Sequence, residues 1–243
     1  MTKQTNKKKK IFLVAIATIV AIILLSFSYF RFSIYHPSES ASSIATTATV
    51  RNKQVTEFKA KNSKLTVVFY PGALVEPDSY SIWAKKVAQA GYTVKIAHFP
   101  MNMAIFEPTI ATKLVTRSER YVIGGHSLGG AMAARYVHEH HSANLKGVFF
   151  LAAYADEKGR LDKLSVPVLS ITASNDGVIK QDKLITGQKY LPKATTFEII
   201  KGGNHAGFGS YGSQKGDHKA TISNQKQQQL VADKLISWLT KID

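Results

Sequence analysis

Fourteen consecutive residues constrain this chain more than any others: Tyr121-Val122-Ile123-Gly124-Gly125-His126-Ser127-Leu128-Gly129-Gly130-Ala131-Met132-Ala133-Ala134. They begin as a short apolar run with β-branched residues, the pattern of a buried strand. They end as an Ala-rich helix start. Between the two lies Gly-x-Ser-x-Gly, as Gly125-His126-Ser127-Leu128-Gly129. A strand that turns this sharply into a helix holds its turn residue in a strained backbone conformation, and the flanking glycines leave room for the turn. The serine hydroxyl then stands above the sheet edge at the N-terminus of a helix. There the backbone N–H of Leu128 and the helix dipole favour a negative oxygen. A bare Gly-x-Ser-x-Gly arises easily by chance in a chain with this much Gly and Ser. The strand before it and the helix after it make Ser127 a candidate nucleophile.

The chain has 243 residues, enough for one catalytic-sized domain and an appendage. It has no cysteine, which excludes disulfides, thiolate metal sites and cysteine nucleophiles. The formal net charge is +16. Lys3, Lys7, Lys8, Lys9, Lys10 and Arg31 carry part of it, with no acid among the first 31 residues. The rest is a solvated basic surface, suited to an anionic setting such as a cell-surface polymer or lipid headgroups. No basic stripe with interleaved aromatics stands out, so nucleic acid is not an expected partner.

Four domains are expected in order: a basic cytoplasmic N-terminus over 1–10, a transmembrane anchor over 11–30, a flexible tether over 31–64 and a catalytic domain over 65–243. Ile11 to Phe30 are twenty residues without a charge, long enough to cross a bilayer as a helix. The preceding lysines stay in the cytoplasm by the positive-inside rule, which puts the remainder outside. A cleaved signal peptide is the competing reading and would make the protein secreted. The run is long for one, and no clean A-x-A site follows closely. The Ser-, Thr- and Ala-rich stretch after His36 reads as mobile, with an edge strand at 55–60.

From Leu65 onward strands alternate with helices. Strands are expected at 65–70, 92–97, 121–125, 147–152, 166–172 and 196–200. Helices are expected at 80–90, 108–115, 128–140, 181–190 and 221–241. That alternation implies an α/β fold, a doubly wound and mostly parallel sheet covered on both faces.

A serine hydroxyl needs a base, and the base needs an orienting acid. In an open parallel sheet these lie beyond the C-terminal ends of strands. Asp176 follows the strand Val168–Ala173, in the turn Ser174-Asn175-Asp176-Gly177. His205 follows the last strand, in Lys201-Gly202-Gly203-Asn204-His205-Ala206-Gly207. Taken alone, Asp176 is also ordinary turn chemistry. The order Ser, Asp, His, each after its own strand, lifts the set above its parts. His126 is expected to pack beside the serine. His98 ends a strand and is a candidate for lining the site. His138, His140 and His141 read as solvated, and His218 beside Asp217 is a weaker candidate base. Two oxyanion donors are expected: the N–H of Leu128 and that of Ala73 in the turn Pro71-Gly72-Ala73-Leu74, with Leu74 as second choice.

Residues from Leu65 to the C-terminus resemble the α/β-hydrolase superfamily, most closely its small dienelactone-hydrolase-like and esterase-like members. The resemblance rests on Tyr70-Pro71-Gly72-Ala73, Gly125-His126-Ser127-Leu128-Gly129, Ser174-Asn175-Asp176-Gly177 and Gly202-Gly203-Asn204-His205, and covers roughly three quarters of the chain. It implies the fold, a Ser127–Asp176–His205 triad and ester hydrolysis through an acyl-enzyme, with neither metal nor cofactor. One departure matters: dienelactone hydrolases proper use a cysteine nucleophile, which this chain lacks. Only Tyr154 to Ser165 separate two strands where the superfamily commonly inserts a cap. An open site for small or short-acyl esters is therefore expected, with the loop Met101–Phe106 as an apolar wall. Acyl transfer or amide hydrolysis with the same triad remains an alternative, as does a non-catalytic module that binds a surface polymer.

Overall fold

The computed structural model describes residues 2–140 and 142–243, with the backbone alone for residues 2–11, 23, 26, 27 and 29. The chain divides into two units, Met1–Ile34 and Tyr35–Asp243. The first is one helix, α1 (Thr2–Phe32). Its apolar side chains at Phe12, Leu13, Leu24 and Leu25 are exposed. Among the described residues no helix is long and apolar enough to cross a membrane. The span expected over 11–30 includes residues 11, 23, 26, 27 and 29, whose side chains lie outside the described ones.

The second unit is built on an eight-stranded sheet of order β1-β2-β4-β3-β5-β6-β7-β8. Its strands are β1 (Val50–Arg51), β2 (Val55–Phe58), β3 (Thr66–Tyr70), β4 (Thr93–Ala97), β5 (Tyr121–His126), β6 (Leu145–Leu151), β7 (Val168–Ala173) and β8 (Thr196–Ile200). β1 and β2 run antiparallel, and β3 to β8 form a parallel array. Alternate residues of the central strands feed two cores. Val67 and Phe69 of β3 join Phe149 and Leu151 of β6 on one face, with Trp83 and Trp238. Val68 and Tyr70 join Val148 and Phe150 on the other, with Met132 and Val137. Strands buried on both faces must be apolar throughout, which is why β3, β5 and β6 read as continuous runs.

Helix α3 (Ser81–Gln89) and helix α7 (Asn224–Leu239) cover the first face. Helix α5 (Leu128–His140) packs on the second. α7 is shorter than expected because Ser223 caps it, accepting from the N–H of Lys226 over 3.1 Å. The helix expected at 108–115 shrinks to α4 (Ala111–Leu114). The hydroxyl of Tyr70 holds its start, donating to Pro108 O over 2.7 Å and accepting from Ala111 N–H over 3.1 Å. The helix expected at 181–190 is α6 (Gln181–Gly187) followed by a 3-10 turn.

The tether expected over 31–64 is corrected. Residues 35–64 belong to the compact unit. Ser38 caps helix α2 (Glu39–Ala45), which buries Ala41 and Ala45. Tyr35 packs against Tyr211 with ring centroids 5.4 Å apart, and the Ser38 and Ser210 hydroxyls meet at 2.8 Å. β2 then pairs along β4, one strand in from the edge formed by β1. The physical reason is that buried alanines, the backbone pairing of β2 and a few apolar anchors, Tyr35, Val55 and Phe58, hold an otherwise Ser-, Thr- and Ala-rich segment.

Candidate active site

β5 ends at His126 and α5 begins at Leu128, so Ser127 alone makes the turn. Its φ is +51°, left-handed for a residue with a side chain. Such a conformation costs about 1–3 kcal/mol and persists only where the surroundings enforce it. They do so here by close approach. A Cβ on Gly129 would stand 2.2 Å from Tyr70 O and 2.3 Å from Pro71 O. The Ser127 N–H still donates to Leu151 O over 3.0 Å, so sheet pairing reaches into the turn.

β7 delivers Asp176 and β8 delivers His205. The Nδ1–H of His205 donates to Asp176 Oδ2 over 2.8 Å. Asp176 Oδ1 accepts from the N–H groups of Val178 and Ile179 at 2.9 and 2.8 Å. Three donors thus meet one buried carboxylate. With its proton on Nδ1, the His205 ring presents Nε2 as an acceptor. That atom is buried and has no partner among the described residues. Ser127 and His205 line one cavity of about 370 Å³, so the structure brings the expected serine, histidine and aspartate to one place.

Leu128, Ala131, Met132, Val178 and Ile179 form much of the apolar wall of that cavity. Arg135 and Asp156, paired with each other, stand at it too, as does Lys180. Burial pushes the Asp156 carboxyl up, but the Arg135 guanidinium and two backbone N–H groups outweigh burial and hold it below the usual carboxylate range. The loop 101–106 does not supply the wall expected of it. Met101, Ile105 and Phe106 are exposed and none lines the cavity.

Of the two expected oxyanion donors, Leu128 lines the cavity and Ala73 does not. Leu128 opens α5, so its N–H has no partner within the helix. The Ala73 N–H has no acceptor among the described residues, whereas that of Leu74 donates to Asn102 O over 2.9 Å. The turn that carries Ala73 is seated from below. Gly72 N–H donates to the Tyr80 hydroxyl over 3.0 Å, and that hydroxyl meets His126 Nδ1 at 2.9 Å. Because the hydroxyl accepts from Gly72, its own proton goes to Nδ1. Burial raises the Tyr80 pKa. Burial, reinforced by nearby His205, lowers that of His126 well below 6.5. Both groups therefore stay neutral. The His126 ring packs on His205 with centroids 4.5 Å apart, beside the serine as expected.

The other histidines stand apart. His98 does not line the cavity; its Nε2 meets the Thr56 hydroxyl at 2.9 Å. His138 and His140 are exposed, and His141 lies outside the described residues. His218 is exposed and does not reach Ser127's cavity. Among the described residues no group of three or more His, Asp and Glu side chains is placed to hold a metal.

Sequence reasoning missed two supports behind His205. Gln227 of α7 accepts from Asn204 N–H over 3.0 Å and donates to Asn204 O over 2.8 Å. Gln228 donates to Gly207 O and Gly209 O at 2.8 and 3.0 Å. The signal was present: two glutamines sit beside Leu230 and Val231, toward the buried stripe of an otherwise amphipathic helix.

The model of the alpha/beta hydrolase family matches residues 66–229. Solved structures superpose on most of the chain. One is the esterase domain of a Rhodothermus marinus protein, with TM-score 0.58 and 12% identity, covering 76% of this chain and 90% of that one. Another is a dienelactone hydrolase from Anabaena variabilis, with TM-score 0.56, 15% identity and coverages of 76% and 90%. A third is a predicted CIB-like hydrolase from Thermoplasma acidophilum, with TM-score 0.56, 16% identity and coverages of 78% and 96%. At these identities the likeness is one of fold. No curated protein sequence matches the chain.

Proposed function

The chain belongs to the alpha/beta hydrolase family, and on that footing we propose that it is a serine hydrolase that cleaves carboxylic esters of small or short-acyl substrates, anchored to the membrane by residues 11–30. The observation that carries the reading is His205 Nε2, buried and without a partner among the described residues on the cavity that Ser127 also lines, with Nδ1 fixed by Asp176.

Ser127 Oγ attacks the ester carbonyl carbon while His205 Nε2 takes the hydroxyl proton. The N–H groups of Leu128 and Ala73 hold the resulting oxyanion, and Asp176 stabilises the imidazolium. Collapse breaks the bond to the alcohol oxygen, which leaves with the proton from Nε2. Water then attacks the acyl-enzyme, gives its proton to Nε2 and releases the acid. Ser127 recovers its proton in the same step. A cavity of about 370 Å³ walled by Leu128, Met132 and Ile179 suits a short acyl group. No cap segment intervenes between β6 and β7, where residues 152–167 hold only a 3-10 turn.

Anchoring is supported by the uncharged run Ile11 to Phe30, carried on the helix Thr2–Phe32. Twenty helical residues rise about 30 Å, the thickness of a bilayer core. Lys7 to Lys10 would keep the N-terminus cytoplasmic and the catalytic unit outside.

The test uses the full chain in detergent, assayed on p-nitrophenyl acetate, butyrate and octanoate beside Ser127→Ala, with fluorophosphonate labelling. Activity that falls with chain length, disappears in the variant and labels at Ser127 is the expected result. A folded protein that neither turns over nor labels sinks the hydrolase. For the anchor, carbonate washing of membranes should leave the full chain in the pellet and release a chain lacking residues 11–30. Release of both would overturn it.

A further inference from the structure

The mechanism uses Asp176 and His205 but does not explain why their two loops meet. Each loop leaves its own strand and contains glycine, and the histidine loop has only the 3-10 turn Ala206–Phe208 as regular structure. A third carboxylate, Asp217, lies between them. Its Oδ1 accepts from the N–H of Gly177 over 3.0 Å, of His205 over 3.3 Å and of His218 over 2.9 Å. Its Oδ2 accepts from the N–H of Ala206 over 2.8 Å. One side chain thus grips the residue after Asp176 and the backbone of His205 itself.

We infer that Asp217 is the positioning residue that sets the distance between Asp176 and His205. The inference rests on the hydrolase reading for its kinetic consequences and on geometry alone for its structural ones. Asp217 touches no reacting atom; it acts through the backbone of the two loops.

The segment around Asp217 is fitted for this. Asn175 from the aspartate loop donates to Lys219 O over 3.1 Å, and Asn204 from the histidine loop donates to His218 O over 2.8 Å. Both loops therefore tie to the same few residues that carry the carboxylate. A Cβ on Gly177 would stand 2.7 Å from Gly216 O, so only glycine lets the segment come this close. Charge explains why an acid is needed. A carboxylate accepts several N–H bonds at once, and bonds to an ionised acceptor are stronger than neutral ones. Two direct links between the loops, Asn175 N–H to Gly203 O at 2.9 Å and Gly202 N–H to Ser174 Oγ at 2.8 Å, lie at the strand ends. Asp217 adds the points next to the reacting side chains.

Asp217 also faces a second and larger cavity, of about 570 Å³, lined by Ser38, Asn204 and Gln227 among others. That cavity holds neither Ser127 nor His205, so it is the rear of the histidine loop and not the reaction chamber. Asp217 is half-buried there.

The test compares Asp217→Ala and Asp217→Asn with the parent, all as full chains in detergent. Two readouts are taken. The first is the low-field proton resonance of the His205 Nδ1–H donor to Asp176, assigned by its loss in His205→Gln; it needs no substrate. The second is kcat and KM on p-nitrophenyl acetate. Misplacing reacting groups by about 1 Å costs on the order of a hundredfold in rate. The expected result for Asp217→Ala is a lost or broadened low-field resonance, a kcat lower by about that factor and a KM within about threefold. Asp217→Asn retains an acceptor and should fall between. An unchanged resonance in either folded variant overturns the inference. So does a loss that appears wholly in KM. Should the alanine variant not fold, the asparagine variant decides alone. Should the parent show no turnover, the resonance still decides, because it reports the Asp176–His205 distance and not the hydrolase.

Discussion

His205 Nδ1 and Asp176 Oδ2 stand 2.8 Å apart, both side chains sealed from solvent. The carboxylate selects the tautomer whose Nε2 is free to accept. Replacing Asp176 with Asn keeps the shape but presents a donor as readily as an acceptor to Nδ1, so the ring can invert its tautomer. We expect kcat to fall by roughly a thousand- to ten-thousandfold, with KM little altered. Single-turnover kinetics on p-nitrophenyl acetate measure it. A loss below about tenfold would mean that Asp176 does not orient the base.

The Tyr80 hydroxyl is the seat of the turn that carries Ala73. Tyr80→Phe leaves two buried groups without partners, the N–H of Gly72 and Nδ1 of His126. Buried groups left unpaired cost about 1–3 kcal/mol each, so urea unfolding should show a loss of about 2 kcal/mol or more. The rate should fall as well, by roughly tenfold, less than the hundred- to thousandfold typical when a donor is removed outright. Stability lost with kcat intact would show that Tyr80 supports the core and not the oxyanion turn.

Burial, and next the proximity of His205, hold the pKa of His126 well below its ordinary 6.5. Between its folded value and 6.5 the unfolded chain binds a proton that the folded chain does not. Stability is therefore complete above the unfolded value and declines as pH falls below it. The slope for one proton is about 1.4 kcal/mol per pH unit. His98, lowered chiefly by burial, acts in the same direction. Asn at position 126 offers an amide oxygen to the Tyr80 hydroxyl and does not titrate. Between about pH 7.5 and about pH 5.5, His126→Asn should lose about 1 kcal/mol less than the parent in urea unfolding. Equal losses would exclude His126 as the source.

Ser127, Asp176 and His205 were readable in the sequence for one physical reason. Each follows an apolar, β-branched run, and such a run in a parallel sheet ends where functional loops begin. The central strands β3 and β5 were readable for the same reason, since both are buried along their whole length. What escaped has the opposite character. Asp217, Gln227 and Gln228 work by bonding backbone groups brought from distant parts of the chain; the two glutamines were marked only by their place on the buried stripe of α7, and nothing local marks Asp217. The segment from Tyr35 to Ala48 escaped because it buries little more than alanines, and a Ser-, Thr- and Ala-rich composition looks the same whether docked or loose. The wall of the cavity was misplaced for a related reason: apolar residues in a loop signal burial or exposure equally, and Ile105 and Phe106 are exposed.

That docked segment yields a prediction a loose tether would not. Ala41 is fully buried in α2, and Ile44 of that helix packs against the first core together with Tyr35 and Ala48 on either side of it. An aspartate at position 41 would place an unpaired charge where no water reaches. An uncompensated buried charge costs about 3–5 kcal/mol, enough to melt the helix away from the domain or to unfold much of the unit. In Ala41→Asp the urea midpoint should therefore fall sharply. The exposed control Ser40→Asp, one residue earlier and in the first turn of α2, should leave it within about 0.5 kcal/mol of the parent. Were residues 35–48 a solvated linker, the two variants would behave alike. Limited proteolysis separates the two ways of failing: cleavage confined to residues 35–48 marks release of α2 alone, and cleavage throughout the unit marks global unfolding. Either pattern, seen only in Ala41→Asp, would establish that the stretch before β1 is part of the folded domain, and that a chain cut at about Thr49 lacks one of its helices.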